Sequence, residues 1–214
     1  MLKFYYFLKT VSRILIYLFS NTKRYSNILL LILFHRPKSI LEVGVYRGKR
    51  SKEMIEAARV FNDKIDFYGF DLFEMFDKSI LKNELSKSPG NKKKIYKELS
   101  KIANVKLFSG YTYRTLPIID KKVDFIFIDG GHSIKTIYSD WKHCSKLMKK
   151  KSILLFDDYY LNNKNIIKNF GCNKIIKKIS NSIYEKKLHN FTDSFFINNN
   201  LLKIKIVSIF KKKI

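Results

Sequence analysis

Two apolar stretches of the sequence end in carboxylates, which are scarce in this chain. VDFIFID (123–129) ends in Asp129 and SILLFDD (152–158) ends in Asp157 and Asp158, whereas the whole chain has 18 Asp+Glu against 43 Lys+Arg. Three carboxylates in one place repel each other unless a cation or protons lie between them. Carboxylate oxygens without His or Cys ligands select a hard divalent cation, and Mg²⁺ fits this description best. The three acids therefore predict a Mg²⁺ site, provided that the fold brings the two stretches together.

A glycine-containing turn is the second feature with chemical meaning. In LEVGVYRGKRS (41–51), Gly44 would let the backbone approach a ligand closely, and Gly48 would let a helix begin tightly with free N–H groups at its N-terminus. The GxxxG spacing matches neither the GxGxxG pattern of dinucleotide sites nor a phosphate loop with GK[ST]. Asp71 ends the next apolar stretch, where a carboxylate can accept both hydroxyls of a ribose. These residues predict a site for a ribose-containing ligand other than NAD or FAD.

Five short apolar stretches are candidates for the strands that position these residues. They cover residues 39–43, 66–72, 104–110, 123–129 and 152–158. Apolar strands separated by helical patterns indicate a parallel sheet covered on both faces, and ligands bind beyond the carboxyl ends of such strands. The acids at or near these carboxyl ends are Glu42, Asp71, Asp129, Asp157 and Asp158. Any one of them could end a strand only because Asp favours turns, but five along one edge indicate a binding site.

Periodicity predicts the remaining elements. Ser51 is expected to cap the helix after the glycine turn. A stripe over residues 134–148 predicts a long amphipathic helix with Tyr138 and Trp141 on its core-facing side. In the C-terminal part, a helical pattern covers 164–180, and SIYEKKLH and LLKIKIVSIF are expected to pair as a hairpin at the sheet edge.

The length and the order of elements predict one main domain. A chain of 214 residues is long enough for one well-buried domain. We expect an N-terminal amphipathic helical segment over residues 1–35 and a single domain over 36–214. The predicted fold class is α/β: a Rossmann-like, doubly wound, mostly parallel sheet with a C-terminal antiparallel hairpin, preceded by N-terminal helices.

The combination of motifs resembles a known family. ILEVGVYRGKRS, Asp71, FIDGGHS and LLFDDYY together look like the class I S-adenosylmethionine-dependent methyltransferases, and within them like the sugar and small-molecule O-methyltransferases of the macrocin type. The resemblance covers about residues 36–160. It implies that S-adenosylmethionine is the cofactor and a sugar or other small molecule the acceptor. The residues it implies for the cofactor pocket are Glu42, Gly44, Val45 and Gly48 around the methionine and ribose, Asp71 on the ribose, Ser109 and Gly110 near the adenine, and Asp129.

The resemblance also implies roles for the acids at the sheet edge. Metal-dependent members use an acid cluster like Asp129, Asp157 and Asp158 to bind two vicinal hydroxyls of the acceptor, and the ion lowers the pKa of the hydroxyl that is methylated. His132 lies where catechol-type relatives have a lysine base, so His132 could accept the hydroxyl proton alongside Asp129, or it could merely fill space. Gly131 departs from the second acid that the motif often has at this place, which leaves the base and the acceptor open.

The N-terminal stretch MLKFYYFLKTVSRILIYLFS allows three interpretations. Phe4, Leu8, Leu15 and their neighbours recur at helical spacing and form one apolar stripe. The helix could pack on the domain or on a second subunit, lie in a membrane interface with its Lys and Arg toward the head groups, or span a membrane. Lys3, Lys9 and Arg13 interrupt the stretch, so a span is the least expected of the three.

The strong positive charge of the chain does not by itself identify a partner. A formal net charge of +25 could reflect composition alone or a face selected for polyanions. A nucleic-acid-binding methyltransferase or binding module is therefore the alternative hypothesis, although the chain lacks an NPPY-type tetrapeptide and an aromatic-basic RNA motif. The chain has two cysteines without a metal-binding spacing, which suits a cytoplasmic protein. Peripheral membrane contact through residues 1–20 and homo-oligomerisation are open alternatives for its interactions.

Overall fold

The chain folds into an α/β domain, shown by a computed structural model that describes residues 1–161, 168–197 and 200–212. The strands are β1 (Ser39–Val43), β2 (Asp66–Asp71), β3 (Asn104–Ser109), β4 (Val123–Ile128), β5 (Met148–Tyr160), β6 (Tyr184–Leu188), β7 (Asp193–Ile197) and β8 (Asn200–Lys211). The helices are α1 (Leu2–Leu18), α2 (Tyr25–His35), α3 (Lys49–Ala58), α4 (Lys78–Asn83), α5 (Lys92–Leu99), α6 (Thr112–Thr115), α7 (Ile134–Cys144) and α8 (Asn173–Lys178).

One mixed sheet organises the domain. Its strand order is β3-β2-β1-β4-β5-β8-β6, and β7 pairs with β8 outside this path. The strands β1 to β5 pair in parallel, whereas β8 runs antiparallel to β5, β6 and β7. Strand order reverses between β1 and β4, and in doubly wound sheets a ligand crevice opens at this point. The predicted fold class, including the antiparallel C-terminal strands, is confirmed.

The side chains of the parallel strands form a core on each face of the sheet. Along β4, Phe125 and Phe127 join the core under α1, α2 and α3, whereas Ile126 and Ile128 join the core under α7 and α8. This alternation follows from the two-residue repeat of a strand. Burial on both faces explains why the stretches are continuously apolar.

The two N-terminal helices pack on the same face as α3. Ile14 of α1 and Ile28 of α2 belong to the core on this face. The ammonium group of Lys9 lies 2.7 Å from Glu56 of α3, and Arg13 pairs with the same buried carboxylate. The predicted apolar stripe is only partly a packing face: Ile14 and Leu18 pack on the core, whereas Phe4, Leu8 and Leu15 are exposed and the stripe omitted the buried Tyr6 and Tyr17.

No helix in the described part of the chain is long and apolar enough to cross a membrane.

Two other expectations need correction. Gly48, not Ser51, precedes the first residue of α3, and its φ of 75° is a left-handed conformation that suits glycine. Tyr138 is half-exposed rather than core, whereas Trp141 is partly buried against Phe156 and Tyr184. Of the helix expected over 164–180, the structure has α8, and residues 162–167 lie outside the described ranges.

Candidate functional site

The glycine turn after β1 passes directly against the end of β4. A Cβ atom at Gly44 would lie 2.0 Å from the carbonyl oxygen of Asp129, and Gly44 has a φ of 93°. The Asp129 N–H in turn donates to the carbonyl of Val43 at 2.8 Å. A side chain at position 44 would collide with the end of β4, so glycine is required there. The sequence predicted that Gly44 approaches a ligand closely, whereas the close approach in the structure is to Asp129.

Asp71 connects the glycine turn to the end of β3. Its two carboxylate oxygens accept the backbone N–H groups of Tyr46 and Leu72, both at 2.7 Å. The Gly110 N–H donates to the Asp71 carbonyl at 2.9 Å, and Ser109 pairs with Asp71 in the β2–β3 register. Burial raises the pKa of the Asp71 carboxyl, while the backbone N–H groups oppose that shift. The residues predicted for the ribose and adenine thus lie together.

Glu42 and Val45 lie deeper than the rest of the turn. Glu42 is fully buried, and its carboxyl accepts a hydrogen bond from the Ser51 hydroxyl. Burial raises the pKa of Glu42 to about 8, so the carboxyl holds a proton at neutral pH. The Val45 side chain packs in the core. Only the backbone of Val45 can face a ligand. Glu42 lies beneath the glycine turn and connects β1 to α3 through Ser51.

An N-terminal arginine, Arg24, binds Asp157 near the end of β5, beside Asp129 at the end of β4. The guanidinium of Arg24 donates to both carboxylate oxygens of Asp157, from Nε at 2.8 Å and from Nη2 at 2.7 Å, and it also pairs with Asp193. Burial of Asp157 opposes ionisation, but Arg24 outweighs it and lowers the pKa of Asp157. Burial, together with the negative charges of Asp157 and Asp158, raises the pKa of Asp129 well above its usual value.

Asp158 forms a second unit with His132. The His132 Nε2 atom lies 3.1 Å from Asp158 Oδ2. On the other side of the ring, Nδ1 lies 2.8 Å from the backbone carbonyl oxygen of Glu84. A carbonyl oxygen can only accept, so Nδ1 carries the hydrogen of this contact, and Nε2 is the ring nitrogen that faces the Asp158 carboxyl. Burial raises the pKa of Asp158, and the neighbouring His132 opposes that rise.

Glu84, at the end of α4, fixes the start of α7. Its carboxylate accepts the Ser133 N–H at 2.9 Å, the Ser133 hydroxyl at 2.9 Å and the Thr136 hydroxyl at 2.7 Å. A Cβ atom at Gly131 would lie 2.7 Å from the same carboxylate. The glycine that departs from the family motif therefore makes room for Glu84.

Sequence reasoning missed Arg24 and Glu84. Glu84 lies 48 positions before His132 in a Lys-rich segment without a motif. The missing side chain at Gly131 was the one indication that another group fills that space. Arg24 lies 133 positions before Asp157, and no local pattern links the two.

The acidic cluster provides ligand atoms for a metal ion. One atom from each of Asp129, His132 and Asp158 lies within 4.8 Å of the others, a spacing that one ion can bridge. Two of the three predicted ligands belong to this set. The third, Asp157, has both oxygens engaged by Arg24, so the predicted set of three carboxylates is only partly assembled.

Comparisons with solved structures agree with this architecture. The O-methyltransferase TomG from Streptomyces achromogenes is 13% identical, with a TM-score of 0.61 over 90% of this chain and 81% of that chain. An O-methyltransferase from Bacillus cereus is 14% identical, with a TM-score of 0.54 over 98% and 90% of the two chains. An rRNA methylase from Streptococcus thermophilus is 11% identical, with a TM-score of 0.53 over 87% and 93%. At these identities the likeness shows the fold.

A family comparison connects the sequence to methyl transfer. No curated protein matches the chain. The family model Methyltransf_24, described as a methyltransferase domain, matches residues 41–159, a range that contains the glycine turn, Asp71 and the acidic cluster. This match confirms the resemblance that the motifs indicated, and the chain belongs to the Methyltransf_24 family of class I S-adenosylmethionine-dependent methyltransferases.

Proposed function

We propose that the protein transfers a methyl group from S-adenosylmethionine to a hydroxyl of a sugar or another small polyol, assisted by Mg²⁺. The observation that carries the proposal is the position of His132. Its ring is held between the Glu84 carbonyl and Asp158. The acidic cluster beside it adjoins the glycine turn, because the Asp129 backbone packs directly against Gly44. A hydroxyl is a poor nucleophile until its proton is removed, so a base beside the cofactor turn is what O-methylation requires.

His132 fulfils the requirements for this base. With Nδ1 donating to Glu84, the lone pair of Nε2 can accept the acceptor's proton. Asp158 Oδ2, 3.1 Å from Nε2, would then accept a hydrogen bond from the Nε2–H of the imidazolium and stabilise its charge. The proton that leaves the hydroxyl is held on Nε2 until solvent removes it.

Residues at the ends of β1, β2 and β3 supply the cofactor site. Each oxygen of Asp71 accepts one backbone N–H, but a carboxylate offers about four lone-pair positions. Asp71 can therefore also accept the two ribose hydroxyls of S-adenosylmethionine. Because Tyr46 and Gly110 bond to the same residue, the glycine turn and the end of β3 are positioned together around the nucleoside.

Asp129 and Asp158 would hold the Mg²⁺ ion, with the remaining positions left for water and acceptor oxygens. The bound ion would act as a Lewis acid that acidifies the hydroxyl and orients its vicinal partner. His132 Nε2 cannot bind an ion and accept a proton at once, so we assign His132 to the base. Burial and the neighbouring carboxylates raise the pKa of Asp129, so an ion bound here would displace to solvent any proton that this carboxyl holds, while Asp157 stays paired with Arg24.

Radiolabelled methyl transfer to a panel of sugars and small polyols tests this function. We expect transfer to at least one hydroxyl compound, loss of turnover in EDTA and recovery on adding Mg²⁺. Asp158→Asn should lower turnover while binding of S-adenosylmethionine, measured by calorimetry, is retained. Unchanged turnover in EDTA would remove Mg²⁺ from the proposal. Transfer to RNA or DNA but to no small hydroxyl compound would instead favour the nucleic-acid alternative.

A further inference from the structure

The outer face of α1 is apolar, although it points away from the domain. Phe4 is 64% exposed, Leu8 and Leu15 are each about half-exposed, and Phe19 at the end of the helix is 89% exposed. The adjoining helix α2 adds Leu30 and Phe34, and Phe34 is 79% exposed. Single exposed apolar side chains are common on protein surfaces, but a contiguous apolar helix face marks an interaction site. We call this set the outer face.

The cations of α1 lie on its inner side. Lys9 and Arg13 pair with Glu56, and Lys3 lies 3.2 Å from Asp63 just beyond α3. An ordinary surface helix has the opposite arrangement, with charged residues toward solvent and apolar residues toward the core. These ion pairs, together with the buried Tyr6, Ile14 and Tyr17, hold α1 in one orientation, so exposure of the outer face is fixed by specific contacts.

Charge indicates what covers the outer face. Residues 1–41 contain seven Lys+Arg and no Asp or Glu. The exposed side chains of Lys23, Arg36 and Lys38 lie at the ends of the two helices. A second copy of a chain with a net charge of +25 would be repelled, whereas an anionic lipid surface attracts basic residues beside an apolar helix face.

We infer that the pair α1–α2 docks on an anionic lipid bilayer, with the outer face inserted among the acyl chains near the head groups and the flanking Lys and Arg on the lipid phosphates. Neither helix is long and apolar enough to cross the bilayer, so the contact is peripheral. The inference is independent of the acceptor and of the metal. It would place methyl transfer at a membrane surface.

Vesicle flotation with the full chain tests the inference. We expect the protein to float with vesicles of phosphatidylcholine mixed with phosphatidylglycerol, and to float much less with phosphatidylcholine alone. Phe4→Ser/Leu8→Ser should weaken partition at least about tenfold, because two apolar side chains no longer insert. Lys23→Gln/Lys38→Gln should weaken partition to the anionic vesicles by roughly tenfold.

The matched control is Ile118→Ser/Tyr138→Ser, which removes two similarly exposed apolar side chains elsewhere on the domain and should leave partition unchanged. Circular dichroism verifies that each variant is folded. The inference is overturned if the wild type does not float with anionic vesicles, or if the control variant loses partition as much as Phe4→Ser/Leu8→Ser. Self-association that Phe4→Ser/Leu8→Ser abolishes, without vesicle binding, would show that a second copy covers the face instead.

Discussion

At the scale of single residues, Glu84 connects the end of α4 to His132 and to the first turn of α7. Its carbonyl fixes the tautomer of His132, and its carboxylate holds the first turn of α7. Because one residue does both, the placement of His132, the proposed base, depends on Glu84. Such supporting residues set the precision of a catalytic group.

Glu84→Gln tests this dependence. The amide has one acceptor oxygen where three donors converge, so we expect kcat to fall at least about tenfold, with unchanged affinity for S-adenosylmethionine and a stability loss of about 1–2 kcal/mol. Steady-state kinetics, calorimetry and urea unfolding measure the three quantities. Glu74→Gln is the control, since Glu74 is an exposed acid of the same segment. Equal kcat values for both variants would contradict the role of Glu84.

Asp140, a fully buried residue of α7, should make stability depend on pH. Burial raises its pKa to about 7, against the opposing effect of the Thr112 hydroxyl, whereas the unfolded value is ~3.9. The unfolded chain therefore releases this proton first, and stability falls as pH rises from ~4 to ~7. Asp140→Asn should be more stable than the wild type by on the order of 2 kcal/mol at about pH 8 and nearly equal at about pH 4. Urea unfolding at both pH values measures this, and an equal difference at both would contradict it.

The sequence predicted the candidate site residues that lie at strand ends. It did not predict Arg24 and Glu84, which contact the acidic cluster and His132 from distant parts of the chain. Asp71, Asp129 and Asp158 follow apolar strands, so the parallel sheet alone brings them to one edge. Arg24 and Glu84 are joined to that edge by contacts across 133 and 48 positions, and nothing local encodes such contacts.

At the scale of secondary structure, the link between α1 and α2 contacts the acidic cluster at the ends of β4 and β5. Arg24 begins α2 and binds Asp157 at the end of β5 as well as Asp193 of β7. The N-terminal helices are thereby joined to the acidic cluster rather than attached to an outer surface. The orientation of α1 was not predictable from its apolar stripe, because Glu56, which pairs with its cations, is recognised only after folding.

Arg24→Met tests how much the contact between Arg24 and Asp157 contributes to the stability of the fold. The substitution leaves Asp157, whose side chain is 2% exposed, without its cationic partner, and removing one member of a buried pair costs about 3–5 kcal/mol. Urea unfolding at neutral pH measures the loss. Arg47→Met changes an exposed arginine of the glycine turn and should cost less than about 0.5 kcal/mol. A comparable loss in both variants would contradict the assignment.

At the scale of the whole molecule, the proposed function divides the edge of the sheet into a cofactor half and an acceptor half. β1, β2 and β3 carry the glycine turn, Asp71 and Gly110, while β4 and β5 carry the acidic cluster, and the strand order reverses between β1 and β4. The order of apolar strands and helices was sufficient to predict this plan. On the proposed function, side chains around His132 would select the acceptor, and no sequence pattern identifies which acceptor they fit.

The most direct test of this division is calorimetric titration with S-adenosylmethionine of the wild type, Asp71→Asn and His132→Ala. The account predicts that Asp71→Asn binds about tenfold more weakly, because a ribose hydroxyl loses a charged acceptor, and that His132→Ala binds as tightly as the wild type while methyl transfer is lost. Equal affinity of Asp71→Asn and the wild type, or an equal loss in both variants, would contradict it.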